Sequence, residues 1–208
     1  MKDGAPPHRR TRFLRQGSRT WERTTSPTWR SGRSPDMQQS YFELLNLEPR
    51  FGIVAEQLDQ AYRALASRVH PDRYAQADIS AQRTALQLAT DANEAYRTLK
   101  KPVLRARHLL GLRGVATSER SISMPPEFLM EQMEWREALG DAQSAHDRDG
   151  LLKLGSIVRS RIAHLQQCLA TLLDTEQNNH AAADATHQLM FVEKLLNDID
   201  DACAALED

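Results

Sequence analysis

From Leu58 to Leu206 the apolar residues of this chain recur in alternating steps of three and four, a period that only an α-helix converts into one continuous face. Leu58, Tyr62, Leu65 and Val69 form the first such run; Leu86, Ala89, Ala92, Tyr96 and Leu99 form the second. Pro71 lies between them and ends the first helix, because the residue before a proline is pushed out of the helical region. A short apolar segment, "SYFELLNL", precedes both and is closed by Pro49. Pro102 opens another short helix, "PVLRARHLL", with Gly111 at its end, in the proline-first, glycine-last order that helices favour. The stretch "GLRGVATSERSISMPPE" carries Gly, Ser and a Pro pair without any period, and it marks the best boundary in the chain. Three more helices follow. The first runs from about Pro126 to Ala145; the second carries Leu151, Leu154, Val158, Arg161 with Ile162, Leu165, Leu169 and Leu172. The third carries Ala185, Leu189, Val192, Leu196, Ile199, Cys203 and Leu206, and the shared rhythm of the last two is the seam of an antiparallel bundle. The expected fold class is therefore all-α, with an N-terminal domain built on a helical hairpin and a C-terminal three-helix bundle.

Composition agrees with that class and removes others. Hydrophobic residues make up 40% of the 208, enough for a core, and only 9 are Gly. The longest apolar runs are a few residues, far short of a membrane span. Cys168 and Cys203 stand far apart with no CxxC, which excludes a disulfide framework and a cysteine-rich zinc site and suits a reducing compartment. His164 and Cys168 share an (i, i+4) face that two metal ligands could use, but no further ligand lies near them; a buried thiol beside a surface His is the expectation. The formal net charge of −1 conceals a gradient: residues 1–36 carry 9 basic and 3 acidic side chains, residues 37–118 carry 11 and 8, and residues 119–208 carry 7 and 17. Basic head and acidic tail suit different partners.

Residues 1–36 hold nine Arg/Lys, nine Ser/Thr and four Pro with almost no aliphatic residues, so they cannot bury enough surface to offset chain entropy and are expected to be disordered. They are Arg- and Ser-rich, as transit peptides are, but lack the amphipathic helix such peptides need. A basic nucleic-acid arm is a second reading, testable by salt-sensitive binding that is lost on removing the segment. The favoured expectation is that Met37 is the start, because ordered sequence begins four residues after it.

The stretch Arg68–Tyr74, "RVHPDRY", places an ionisable ring, a fixed kink and a carboxylate in succession. A catalytic triad would also need a nucleophile and an oxyanion hole, and no Ser or Cys in a tight Gly-rich turn follows. Across a proline-fixed turn His70 and Asp72 should project apart. A metal site would need more ligands, and His108 and Asp91 are near only in sequence. Two readings remain: a helix stop in which Asp72 satisfies backbone donors of the turn, or a contact surface. The two flanking apolar faces match in length and should pack as an antiparallel hairpin with this triplet at its tip, fed by a helix basic at Arg63 and Arg68 and followed by Arg73. A carboxylate held there can pair with a partner's Arg.

"YFELLNL", "AYRALASRVHPDRY" and "ANEAYRTLKKPVLRARHLL" together resemble the J-domain of DnaJ-like co-chaperones, in the HscB iron–sulfur subfamily. The resemblance covers residues 41–206. It implies that His70, Pro71 and Asp72, with Arg63, Arg68 and Arg73, dock on a DnaK- or HscA-type heat-shock chaperone and trigger its ATP hydrolysis. Arg73 stands where the family usually has Lys, with the charge kept.

On "PPEFLMEQMEWREALGDA", at about 100° per residue, Phe128, Trp135 and Leu139 fall within about 40° of one another and could face a core. Met130, Glu134, Glu137 and Asp141 cluster opposite, with Met133 beside them. Either Leu129 and Met133 are core and the acids a solvated face, or the methionines belong to an adaptable binding surface. The segment is similar to the part of HscB that binds the iron–sulfur scaffold protein, IscU. That likeness implies a contact surface of Leu129, Met130, Met133, Glu134 and Glu137, with Phe191 from "HQLMFVEKL", and less directly Asp141.

The expected organisation is thus a disordered extension over 1–36, a J-domain over 37–112, a linker over 113–125 and a scaffold-binding bundle over 126–208. The expected role is a non-enzymatic adaptor in iron–sulfur cluster biogenesis that needs no cofactor and no metal of its own. It would bind neither nucleic acid nor membrane, with the bacterial cytoplasm as its setting and the mitochondrial matrix as the alternative. A general J-domain co-chaperone with another client is the runner-up.

Overall fold

A computed structural model describes residues 40–115 and 124–206. The basic extension, Met37 and most of the expected linker lie outside them. The described residues form seven α-helices: α1 (Tyr41–Leu44), α2 (Ala55–Val69), α3 (Ile79–Lys100), α4 (Pro102–Leu112), α5 (Pro126–Ser144), α6 (Arg148–Ala170) and α7 (Asn179–Ala205). No strand occurs among them, and no helix is long and apolar enough to cross a membrane. The all-α class with a hairpin followed by three helices is what the periodicity predicts.

Local chemistry sets the helix boundaries. Asp78, Asp147 and Asn178 each accept a backbone N–H of the following first turn, from Ala81, Gly150 and Ala181 at 2.8, 2.9 and 3.2 Å. Three helices end in a left-handed residue: Asn46 after α1, Gly114 after α4 and His146 after α5, with φ of 53°, 73° and 54°. In each case the next N–H reaches back five residues, as from Val115 to the Leu110 carbonyl at 2.9 Å, so carbonyls left open by the helix end are satisfied. Gly114, not Gly111, therefore performs the stop, and α4 runs through Gly111.

α2 and α3 pack as an antiparallel hairpin, held by hydroxyl contacts at matching heights. Tyr62 Oη donates to Asn93 Oδ1 at 2.6 Å and Tyr96 Oη to Asp59 Oδ1 at 2.7 Å, with the two rings stacked 4.4 Å apart. The helices are not matched in length: α3 has 22 residues against 15 in α2, and α1 also packs on it. On α3 the buried row is Ala85, Ala92, Ala95 and Leu99, whereas the expected Leu86 is 60% exposed. Steps of seven keep Ala85, Ala92 and Leu99 on one line, and Leu86 lies about 100° around the helix from it.

In the second half α5, α6 and α7 form the bundle. Leu151, Leu154, Val158, Leu165, Leu169, Leu189, Val192 and Ile199 are buried as their spacing predicts. α6 does not end as a plain α-helix. It continues as a π-helical turn over Thr171–Thr175, in which Leu173 is fully buried and Leu172 only partly. α4 packs on α7, and most of the buried apolar residues from Phe42 to Ala202 form one contiguous cluster.

Candidate functional site

The loop between α2 and α3 is a single 3₁₀ turn, Pro71–Tyr74. His70 is extended at φ −58° and ψ 131°, the conformation that a following proline imposes, and α2 stops there. The turn faces outward, with the side chains of His70 and Asp72 58% and 88% exposed. They do not project apart as expected. His70 Nδ1 lies 3.4 Å from Asp72 Oδ2 and also accepts the Asp72 N–H at 3.4 Å. The turn is short enough to bring residue i+2 back over the ring, so Nδ1 meets both the backbone N–H and the carboxylate of Asp72. Asp72 contributes its carbonyl, not its carboxylate, to the turn, accepting from Ala75 N–H at 3.4 Å.

Of the three arginines assigned to this surface, all are exposed. Arg63 Nε donates to the Asp59 carbonyl one turn back at 3.2 Å. Arg73 Nη1 reaches the Ser67 carbonyl at 3.3 Å, and Tyr74 Oη the Arg68 carbonyl at 3.4 Å. These two side chains close the open carbonyls at the end of α2, so Arg73 braces the apex while its other donors still point to solvent. The sequence offered no sign of this bracing, because it depends on the chain doubling back.

On α5 the wheel separates two faces. Phe128, Trp135 and Leu139 are 4%, 8% and 8% exposed and face the core, with Gln132 and Ala142 on the same side. Leu129, Met130 and Met133 are 49%, 62% and 71% exposed, so they are not core, and Glu134, Glu137 and Asp141 are exposed with them. Phe191 is 40% exposed on the outer side of α7, between buried Leu189 and Val192. A helix in a three-helix bundle needs one apolar face; this one has two.

Beside Met130 and Glu134 an open groove of about 470 Å³ runs between α5 and α6, lined further by Glu127, Phe128, Glu131 and Arg161. Arg161 Nε lies 3.2 Å from Glu131 Oε2, and this pair joins the two helices in the groove that Met130 also lines. Reading α6 alone places Arg161 on the apolar stripe without explaining it; its partner on α5 does.

His108 and Asp91 form no metal centre with the apex. His108 Nε2 accepts the Tyr41 N–H at 3.2 Å and its ring stacks on Tyr41 at 4.5 Å, with burial lowering its pKa from the usual 6.5. His164 is exposed and Cys168 is half-buried rather than buried. Among the described residues no three of His, Cys, Asp and Glu are grouped to hold a metal ion.

A helical hairpin carrying His-Pro-Asp at its apex, followed by a three-helix bundle with a second apolar face, is the class of J-domain co-chaperones. Residues 124–200 match the family model of the HSCB C-terminal oligomerisation domain. The co-chaperone protein HscB homolog of Ralstonia nicotianae is 46% identical over 170 residues, covering 81% of this chain and 97% of that protein. The homolog from an Azoarcus species is 44% identical over 83% of this chain and 98% of its own. Among solved structures, chaperone HscB from Vibrio cholerae superposes with a TM-score of 0.72 at 35% identity, covering 81% of this chain and 99% of that one. Human co-chaperone protein HscB shares the fold, with a TM-score of 0.72 at 24% identity over 84% and 87% of the two chains. This chain belongs to the HscB co-chaperone family.

Proposed function

We propose that this protein is a two-headed adaptor of iron–sulfur cluster biogenesis. The first head is the J-domain, residues 37–112. It docks on a DnaK- or HscA-type chaperone through His70, Pro71 and Asp72, flanked by Arg63, Arg68 and Arg73, and stimulates ATP hydrolysis there. The second head is the bundle over 126–208, joined through 113–125. It holds an IscU-like scaffold protein through Leu129, Met130, Met133, Glu134, Glu137, Asp141 and Phe191. Holding both raises the local concentration of client at the chaperone while hydrolysis is triggered. The nucleotide belongs to the chaperone and the cluster to the scaffold. The bacterial cytoplasm is the proposed setting, in keeping with the bacterial relatives.

The observation that carries the reading is the pair of outward surfaces on one chain: the exposed His70 and Asp72 at the apex, and the exposed Leu129, Met130 and Met133 that no core contact employs. Neither is explained by folding. An acidic second half, 17 carboxylates against 7 cations over residues 119–208, suits a scaffold with a basic patch.

His70→Gln tests the reading by separation of function. It should abolish stimulation of the chaperone ATPase while helicity by circular dichroism and scaffold affinity stay at wild-type values. Stimulation that survives the substitution defeats the docking assignment. Loss of both activities together would indicate a folding lesion instead.

A further inference from the structure

The two surfaces sit on opposite halves of the chain, and beside the packing of α4 on α7 a carboxylate bonds one half to the other. The π-helical turn after α6 turns Asp174 toward the loop that leads into α2. Its Oδ1 accepts the Phe51 N–H at 2.6 Å and its Oδ2 the Gly52 N–H at 2.8 Å, across 123 and 122 residues of sequence. Bonds from backbone N–H groups to an ionised carboxylate are stronger than neutral ones, and the Asp174 side chain is only 13% exposed. The fit at Gly52 is close: a Cβ there would stand 3.2 Å from Asp174 Oδ2, so the carboxylate would have to give by a few tenths of an ångström. Phe51, 3% exposed, is clamped in turn beneath the Arg105 guanidinium of α4 at 4.8 Å. Arg113 closes the other side, donating to the Leu173 carbonyl at 3.0 Å and to Asn179 Oδ1 at 2.9 Å. Gln177, two residues after the π-turn, is held at φ 54°, a conformation ordinary side chains rarely adopt.

We infer that Asp174 is a positioning residue: by gripping the Phe51 and Gly52 amides it sets the direction in which α2 carries the His70–Asp72 apex relative to the α5 and α7 surface. This rests on the two-headed reading above. The lever is long. α2 starts at Ala55, three residues beyond Gly52, and its 15 residues span about 22 Å at 1.5 Å per residue. A tilt of about 10° at the clasp therefore moves the apex by roughly 4 Å, more than the length of a hydrogen bond. An adaptor whose two arms wander loses the gain that tethering supplies, because that gain depends on both sites being reachable at once. The π-turn is the feature a plain helical hairpin between α6 and α7 would not need, and such turns occur where a helix is bent to a purpose.

The test uses the full chain with Asp174→Asn, which puts an amide NH₂ against one of the two N–H groups, and independently Gly52→Ala, which crowds the carboxylate from the other side. Spin labels at Gln76→Cys and Arg136→Cys, with Cys168 and Cys203 replaced by Ala, report the distance between the halves. Each substitution should at least double the width of that distance distribution. In parallel, ATPase stimulation by the adaptor alone and affinity for a purified IscU-like scaffold should stay within twofold of wild type, while the additional stimulation gained on adding scaffold falls about fivefold or more. An unchanged distance width overturns the inference whatever the activities do. So does an unchanged gain from scaffold. A parallel loss of all three activities would assign Asp174 to general stability and overturn it too. Should the wild-type chain neither stimulate nor bind, the two-headed reading fails, and the distance measurement still decides whether the clasp fixes the geometry.

Discussion

Consider replacing Met130 and Met133 with Ala. Both side chains stand in solvent, 62% and 71% exposed, so their truncation leaves no cavity and should change folding stability by less than about 0.5 kcal/mol, as exposed substitutions do. Alanine is also at least as good a helix former as methionine. Binding is a different matter. Moving a methionine side chain from full exposure to full burial is worth about 1.5–3 kcal/mol. Roughly two-thirds of that remains to be gained at each position when a partner covers it, so each truncation should cost about 1–2 kcal/mol. The double variant should then bind an IscU-like scaffold at least about 30-fold more weakly, since 1.4 kcal/mol is tenfold in affinity. Titration calorimetry against purified scaffold measures the affinity, and urea unfolding of the same sample measures the fold. An affinity within about threefold of wild type refutes the argument. So does a loss of binding accompanied by a clear fall in unfolding midpoint, because the side chains would then belong to the core.

Two further outcomes follow from the same geometry. Phe128→Ala, on the opposite face of α5 at 4% exposure, should cost about 3–5 kcal/mol of stability in urea unfolding, and a cost below about 1 kcal/mol would contradict the placement of that face. His108 should give the chain a pH-sensitive segment. Burial lowers its pKa from 6.5 while its neutral Nε2 accepts the Tyr41 N–H. The unfolded chain therefore takes up the proton more readily, and the contribution is complete above about pH 6.5 and is lost as pH falls from there through the lowered folded value. The difference in urea midpoint between pH 7.5 and 5.5 should be smaller in His108→Gln than in wild type, and an equal difference would remove His108 as the cause.

The helices were legible because burial imposes a period, and the period survives substitution of individual residues. What blurred was the choice between neighbours. Leu86 and Ala85 both satisfy a three-or-four step, and only the partner helix α2 decides that the smaller side chain lies inside. Leu172 and Leu173 lie three and four residues after Leu169, so both fit the period, and the π-turn that carries them leaves no mark in the apolar pattern. Gly111 fits a helix end as well as Gly114, but φ of 73° at Gly114 settles which of them the backbone needs. The apex was readable as a proline between two helical faces. The approach of His70 to Asp72 and the bracing by Arg73 were not, since they follow from the tightness of one turn. The two faces of α5 were legible from the wheel because Phe128, Trp135 and Leu139 cluster so closely. The groove formed with Arg161, and the clasp that Asp174 makes more than a hundred residues away, depend on which helices become neighbours, and a single sequence does not encode that in any local signal.

The central claim is that one molecule engages chaperone and scaffold at the same time. Native mass spectrometry of the purified chain mixed with an ATP-loaded DnaK- or HscA-type chaperone and an IscU-like scaffold measures it directly. A ternary species with one copy of each should form, should vanish with His70→Gln while the scaffold pair persists, and should vanish with Met130→Ala/Met133→Ala while the chaperone pair persists. Two binary complexes that exclude each other, with no ternary species at any ratio, would contradict the account.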